Sequence, residues 1–115
     1  MHEVSIANDI INIVRQNLTD PGIVRVKSVK LDLGEFSNIQ PDSLRFGFQV
    51  LSAGTNLEGA QLDINLIPLT IKCSSCGNVS STESGFFYCS LCGSNDVNVL
   101  SGKELKIVEI EIYDN

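Results

Sequence analysis

The feature that most constrains this chain is a pair of short cysteine motifs, Cys73-Ser74-Ser75-Cys76-Gly77 and Cys89-Ser90-Leu91-Cys92-Gly93. They hold all 4 cysteines of the chain. The spacing is close to the paired Cys-x-x-Cys pattern of zinc ribbons, with a slightly short connection. A tetrahedral zinc ion takes four thiolates, and each Cys-x-x-Cys turn offers two sulfurs to one ion. The glycine after each pair suits a tight turn with positive φ. Two other readings compete: two disulfides in a secreted protein, or a redox-active Cys-x-x-Cys. The start of the chain is expected not to be a secretory signal, because Glu3 and Asp9 stand where a basic segment belongs. A redox enzyme needs one such pair, not two. Cysteines confined to metal spacing suit a reducing compartment, so the expected location is cytoplasmic.

A chain of 115 residues is about one domain and can bury a modest core. No apolar run approaches the ~20 residues of a membrane span, so no membrane association is expected. Acidic residues outnumber basic ones by 14 to 8, for a net charge of −6. Four thiolates holding one divalent zinc would take this to about −8. Nucleic-acid binding is driven by neutralising phosphates, so an acidic chain of this kind argues against it.

Residues 4–18 place Val4, Ala7, Ile11, Val14 and Leu18 on one helical face, widened by Ile6, Ile10 and Ile13. Thr19-Asp20-Pro21-Gly22 should stop that helix. Residues 23–33 alternate as a strand, but the inward parity switches near Ser28, which predicts a bulge or cover on both faces. Pro41 and Asp42 open a second helix with Leu44, Phe48 and Leu51 as its stripe and Gly54 as its stop. Phe46 and Phe48 both read as core. Residues 60–72 form a second strand, interrupted at Pro68, and residues 103–113 a third.

The last strand follows the cysteine segment too closely to build a core of its own. It must rejoin an earlier sheet, and the simplest partner is the strand at 60–72. The cysteine segment then sits at the tip of a hairpin. The predicted fold class is α+β: two helices packed on a small mixed three-stranded sheet, with a zinc-ribbon-like module inserted before the last strand. The predicted domains are an α/β domain of residues 1–72, completed by 102–115, and an inserted module of 73–101. Were the last strand beside the first, Glu109 and Glu111 would face Arg25 and Lys27.

His2 is the sole histidine. A large second residue normally blocks methionine removal, so Met1 is expected to remain. Its free α-amine, the His2 peptide nitrogen and the His2 Nδ1 close two adjacent chelate rings on one metal. A fourth donor could come from the Glu3 backbone, the Glu3 side chain or elsewhere. Planar nitrogen donation suits Ni(II) or Cu(II) better than zinc. The alternative is an idle N-terminus.

Met1-His2-Glu3-Val4-Ser5-Ile6 resembles the opening of the HypA/HybF family of hydrogenase maturation nickel chaperones, with Ile6 where leucine is usual. The resemblance runs on through 29–35, 41–46, 53–60, both cysteine motifs, 93–97 and 102–105. It implies a nickel domain of helices on a mixed sheet with the zinc module before the last strand. It implies no enzyme activity. Members carry Ni(II) as cargo to the large-subunit precursor of [NiFe] hydrogenase, working with a maturation GTPase, and some also serve urease. By position, His2 is the implied nickel ligand, with the Met1 amine and the Glu3 backbone beside it and the Glu3 side chain orienting the site. Cys73, Cys76, Cys89 and Cys92 are the implied ligands of a structural Zn(II). The chain carries no second histidine near the cysteines to couple the two metals. Either a monomer or a homodimer is compatible with the exposed strand edges.

The rival reading is a zinc-ribbon module that binds protein or nucleic acid. It calls for basic and aromatic residues around the cysteines, where this chain has Ser80, Ser81, Glu83 and Asp96, with Phe86, Phe87 and Tyr88 as the aromatics. Those aromatics are expected to shield the sulfurs as a mini-core, with a partner-binding patch as the alternative. Hydrolysis at zinc would need an open coordination position, which four cysteines do not leave.

Overall fold

The computed structural model describes residues 2–20, 23–82 and 87–113, with the backbone alone at His2 and Thr82. The first element is α1 (His2–Gln16). It is rich in β-branched isoleucine, so packing holds it more than intrinsic propensity does. Ala7, Ile10, Ile11 and Val14 are buried, Ile6 and Leu18 pack at the margin, and Val4 and Ile13 stay largely exposed. The Asn17 side chain closes the helix by donating to the Ile13 carbonyl at 2.7 Å. Part of the expected stop, Pro21-Gly22, lies outside the described residues.

Next come β1 (Val26–Gly34) and α2 (Pro41–Ser52). Pro41 takes the first helical turn, where its missing N–H costs nothing. Leu44, Gly47, Phe48 and Ser52 make the buried face of α2. Phe46 does not join Phe48 in the core: Phe48 is 1% exposed and Phe46 67%. Two positions apart on a helix is about 200°, so one ring must leave the core when the other enters it.

Beyond α2 lie β2 (Gln61–Ile67), β3 (Leu69–Cys73), β4 (Val79–Thr82), β5 (Val97–Ser101) and β6 (Leu105–Ile112). Two sheets result, in the orders β2-β1-β6 and β4-β3-β5. The first is the expected mixed sheet. Its β6 runs against β1, since Gly34 donates to the Glu104 carbonyl at 2.7 Å and Tyr113 to the Arg25 carbonyl at 3.0 Å. Its β2 runs with β1: just past the C-terminal end of β1, Glu35 donates to the Ile67 carbonyl, at the end of β2, at 2.8 Å. The segment β1–α2–β2 is thus a parallel crossover through a helix.

Two expectations are corrected here. The last strand pairs with β1, not with the strand at 60–72. The reason is the parity switch: Val26, Ser28, Val29, Leu31 and Leu33 are all buried, so β1 is covered on both faces and takes the centre. Glu111 then meets Lys27 at 3.7 Å and Glu109 meets Lys30 at 3.3 Å. Arg25 instead donates to the Glu58 carbonyl at 3.3 Å. Both ion pairs are half-exposed and mark register more than they stabilise. Second, the segment at 60–72 is two strands, not one. Pro68 has no N–H to give a ladder, and the chain leaves one sheet there and starts the other.

By backbone contacts the described chain forms two compact units. One comprises residues 1–31, 39–65 and 106–115, and holds the core of Ala7, Ile10, Ile11, Val14, Val29, Leu31, Leu44, Phe48 and Leu57. The other comprises residues 32–38 and 66–105. In this second unit β3 is central, paired antiparallel with β4 (Ile71 opposite Ser80) and with β5 (Ile71 opposite Val99), with a bulge at Thr70–Ile71. Gly34 and Gly102 pass backbone to backbone in this unit; a Cβ on Gly34 would overlap the Gly102 carbonyl. No helix among the described residues is long and apolar enough to cross a membrane.

The two phenylalanines of α2 separate core from surface. Phe48→Ala should lower unfolding stability by about 3–5 kcal/mol, and Phe46→Ala by under about 0.5 kcal/mol. Urea denaturation of both variants checks this, and equal losses would contradict the assigned helix face.

Candidate metal centres

β3 delivers Cys73 at its last residue, and the turn that follows delivers Cys76. The second pair repeats the local geometry. Gly77 and Gly93 have φ of 76° and 77°, and their N–H groups return to the Cys73 and Cys89 carbonyls, both at 2.9 Å. Cys73 N–H donates to the Asn78 carbonyl at 2.9 Å, and Cys89 N–H to the Ser94 carbonyl at 2.7 Å, the same offset in both turns. The two turns are joined by Ser75 Oγ and Ser94 Oγ at 3.1 Å. An L-residue with a side chain is strained at such φ, which is why glycine follows each cysteine pair.

The four sulfurs lie within 4.8 Å of one another. Cys73 and Cys92 are 3.6 Å apart, as are Cys76 and Cys89. Zinc–sulfur bonds of about 2.3 Å in a tetrahedron put the sulfurs about 3.8 Å apart, so the set fits one such ion. Cys73 and Cys89 are buried, while Cys76 and Cys92 are exposed residues. Among the described residues this is the one cluster of three or more metal-ligating side chains.

Electrostatics divides the thiols. The backbone N–H of Cys92, then that of Leu91, aim at Cys89 Sγ, both at 3.4 Å, and bring its pKa down to about 6. The Cys76 backbone N–H lowers Cys73 in the same way. The Asn78 backbone N–H pulls Cys76 down, but desolvation and the sulfurs of Cys89, Cys73 and Cys92 outweigh it and push Cys76 up to about 12. Cys92 is also raised: the Ser94 backbone N–H pulls it down, but the Cys73 sulfur and desolvation outweigh that pull. Four sulfurs this close cannot all ionise without a cation between them. The glycine after each pair is the trace that these amide donors leave in the sequence.

The described aromatics of this segment are half-exposed. Phe87 is 44% exposed, Tyr88 51% and Leu91 at the tip of the second turn 74%. The Phe87 ring lies under Lys103 Nζ at 5.7 Å. Glu83 and Phe86 lie outside the described residues. Leu69 and Ile71 of β3, the strand that leads into Cys73, are buried.

The other predicted site begins α1. Met1 and the His2 side chain lie outside the described residues; the His2 backbone is the first residue of the helix. The opening N–H groups of an α-helix have no acceptor in a preceding turn of the same helix. Glu3 Oε2 accepts from the Gln40 backbone N–H at 3.2 Å. Gly47 of α2 is packed on the same turn: a Cβ there would meet Val4 Cα at 3.5 Å and the Glu3 carbonyl at 3.7 Å. His2 and Glu3 belong to the first unit and the four cysteines to the second.

Binding of a divalent ion by four thiolates must expel the protons of the raised pair, Cys76 and Cys92. The metal-bound form therefore holds fewer protons than the free form, and its stability grows as pH rises. Zn(II) affinity measured against a chromophoric chelator should fall by more than tenfold per pH unit below pH 7. A flat profile from pH 8 to 5, or retention of zinc in Cys73→Ser, would contradict a four-thiolate site.

The chain is matched over residues 1–112 by the family model described as HypA, hydrogenase/urease nickel incorporation, metallochaperone. It is 38% identical to the hydrogenase maturation factor HypA of Roseiflexus sp. (strain RS-1), over 100% of this chain and 94% of the relative. It is 41% identical to that of Nostoc sp. (strain PCC 7120), over 99% of this chain and 97% of the relative. The solution structure of the nickel metallochaperone HypA from Helicobacter pylori superposes with a TM-score of 0.67 at 18% identity, covering 98% of each chain. A second HypA solution structure gives 0.72 at 21% identity, covering 98% of this chain and 97% of the other. The fold therefore agrees with solved HypA structures. With a match that starts at Met1 and runs through both cysteine motifs, the chain belongs to the HypA family.

Proposed function

We propose that this protein is a nickel metallochaperone. It binds Ni(II) through the Met1 amine, the His2 peptide nitrogen and imidazole, and the Glu3 backbone. It delivers the ion for maturation of [NiFe] hydrogenase, handing it to the large-subunit precursor together with a maturation GTPase; urease is a second candidate recipient. The observation that carries this reading is the coincidence of Met1-His2-Glu3 with the start of both the family match and α1. Nickel is assigned to residues 1–72 with 102–115, and a structural Zn(II) on Cys73, Cys76, Cys89 and Cys92 to residues 73–101.

The placement has a physical logic. Planar nickel binding to peptide nitrogen requires that nitrogen to lose its proton. At the start of α1 the N–H groups give up no intrahelical hydrogen bond when they ionise. The anion formed sits at the positive end of the helix dipole, which lowers its cost. The cysteine cluster, by contrast, closes a tetrahedral shell and leaves no position for substrate, so it supports no hydrolytic role. A filled zinc site and a net charge of −6 favour protein contact over nucleic acid, and the exposed Leu91, Tyr88 and Phe87 suit such contact. The assigned compartment is the cytoplasm, where free cysteines stay reduced. A monomer and a homodimer are both compatible with this role.

Nickel titration of protein with its native N-terminus, beside His2→Ala and a form extended by a few residues before Met1, tests the reading. Both changes should abolish the absorption band of planar Ni(II) and weaken binding at least 100-fold, while Cys73→Ser should leave that band in place. Unchanged nickel binding in both would reject the N-terminal site. Nickel binding lost with the cysteines instead would exchange the two assignments.

A further inference from the structure

Two Cys-x-x-Cys turns can offer four sulfurs to one ion in two arrangements. In a tetrahedron, the plane of the metal and one sulfur pair stands perpendicular to the plane of the metal and the other pair. In a square, both pairs share one plane. Passing between them turns one Cys-x-x-Cys against the other by about 90°. Whatever fixes that rotation also selects the ion, since tetrahedral sulfur sites suit zinc and planar sites suit Ni(II).

Serines in and beside the turns fix it here. Ser94 engages both turns. Its carbonyl accepts from Cys89 N–H at 2.7 Å and holds the second turn, while its hydroxyl lies 3.1 Å from that of Ser75 in the first. Asp96 N–H donates to the same Ser94 hydroxyl at 3.2 Å, which leaves the Ser94 proton to point at Ser75. Ser74 N–H donates to the Asp96 carbonyl at 2.9 Å, and Asn98 Nδ2 to Ser74 Oγ at 3.2 Å. These bonds extend the ladder of β3 with β5, in which Cys73 stands opposite Val97. Both residues between Cys73 and Cys76 are thus tied to the segment that follows Cys92.

We propose that Ser75 and Ser94 are specificity-determining residues of the cysteine site: their hydroxyl bridge holds the two turns at the tetrahedral setting and keeps cargo nickel out of the zinc shell. This rests on the four-thiolate zinc site and the nickel cargo proposed above. Thiolates bind either ion, so a chain that carries nickel beside four cysteines needs a geometric bar to exchange. The sulfur pairs that span the two turns, Cys73–Cys92 and Cys76–Cys89, are both 3.6 Å apart, near the tetrahedral spacing of about 3.8 Å. Ser75 is exposed and Ser94 half-buried, so their bond should shift the balance between the ions by a factor of about 3–10.

The test compares Zn(II) and Ni(II) affinities of the cysteine site by chelator competition. It uses full-length protein carrying His2→Ala to clear the N-terminal site. Thiolate-to-nickel charge-transfer absorption reports only nickel held by sulfur, and far-ultraviolet dichroism checks folding. Ser75→Ala and Ser94→Ala should each move the affinity ratio toward nickel by about 3–10-fold. The double variant should move it no further than either single, because both remove one shared bond. Ser94→Thr, which keeps the hydroxyl, should keep the parent ratio. Equal weakening of both ions marks a tie that only stabilises the turns and overturns the proposal. So does a ratio that stays still or moves toward zinc, and so do shifts that multiply in the double variant. If Ser94→Ala does not fold, Ser75→Ala at its exposed position decides alone. Cys73→Ser in the same background separates the two readings. Zinc lost there, with an unmoved ratio in the serine variants, rejects the bridge alone. Zinc retained there rejects the four-thiolate site and the bridge with it.

Discussion

Burial of β1 on both faces is the constraint from which the first sheet follows. A strand with Val26, Ser28, Val29, Leu31 and Leu33 all buried cannot lie at an edge. One side is taken by β2, reached through a helical crossover, and the other by β6, which arrives last. The chain leaves this sheet at Pro68 and rejoins it only after Gly102, so everything between belongs to a separate set of strands. The backbone passage of Gly34 by Gly102 closes that excursion and admits no side chain at Gly34.

Within the excursion the controlling interaction is electrostatic. Four sulfurs within 4.8 Å form a site that a single divalent cation satisfies and that protons satisfy poorly. The turn amides of Cys92 and Leu91 at Cys89, and that of Cys76 at Cys73, favour the thiolate of these two cysteines against the opposing effect of burial, and the other two thiolates are formed by the ion. A site so saturated in sulfur suits architecture. The proposed cargo site has opposite properties: nitrogen donors, backbone participation and a place at the open end of a helix. Separating the two by ligand type as well as by unit is what would keep zinc and nickel from exchanging.

How much of this was legible in the sequence depends on distance along the chain. The cysteine site was readable because its ligands, its spacing and its turn glycines are all local. So was the α1 stripe, with Ala7, Ile11 and Val14 buried where periodicity put them. The parity switch at Ser28 was visible too, but its consequence, a central β1, was not drawn, because pairing is decided by partners far away in sequence. The short strands β4 and β5 carry too few residues to show alternation and were missed. Phe46 and Phe48 looked alike until the helix face was set. The Glu3–Gln40 bond joins residues 37 apart through a backbone donor, and backbone donors leave no mark in sequence.

In the proposed arrangement the two metals occupy chemically distinct sites in one chain. X-ray absorption at both metal edges, on protein loaded with one Zn(II) and one Ni(II), reads this directly. The expected spectra show four sulfur scatterers at about 2.3 Å around zinc, and only nitrogen or oxygen around a planar nickel. Sulfur in the nickel shell, or nitrogen replacing sulfur around zinc, would contradict that arrangement.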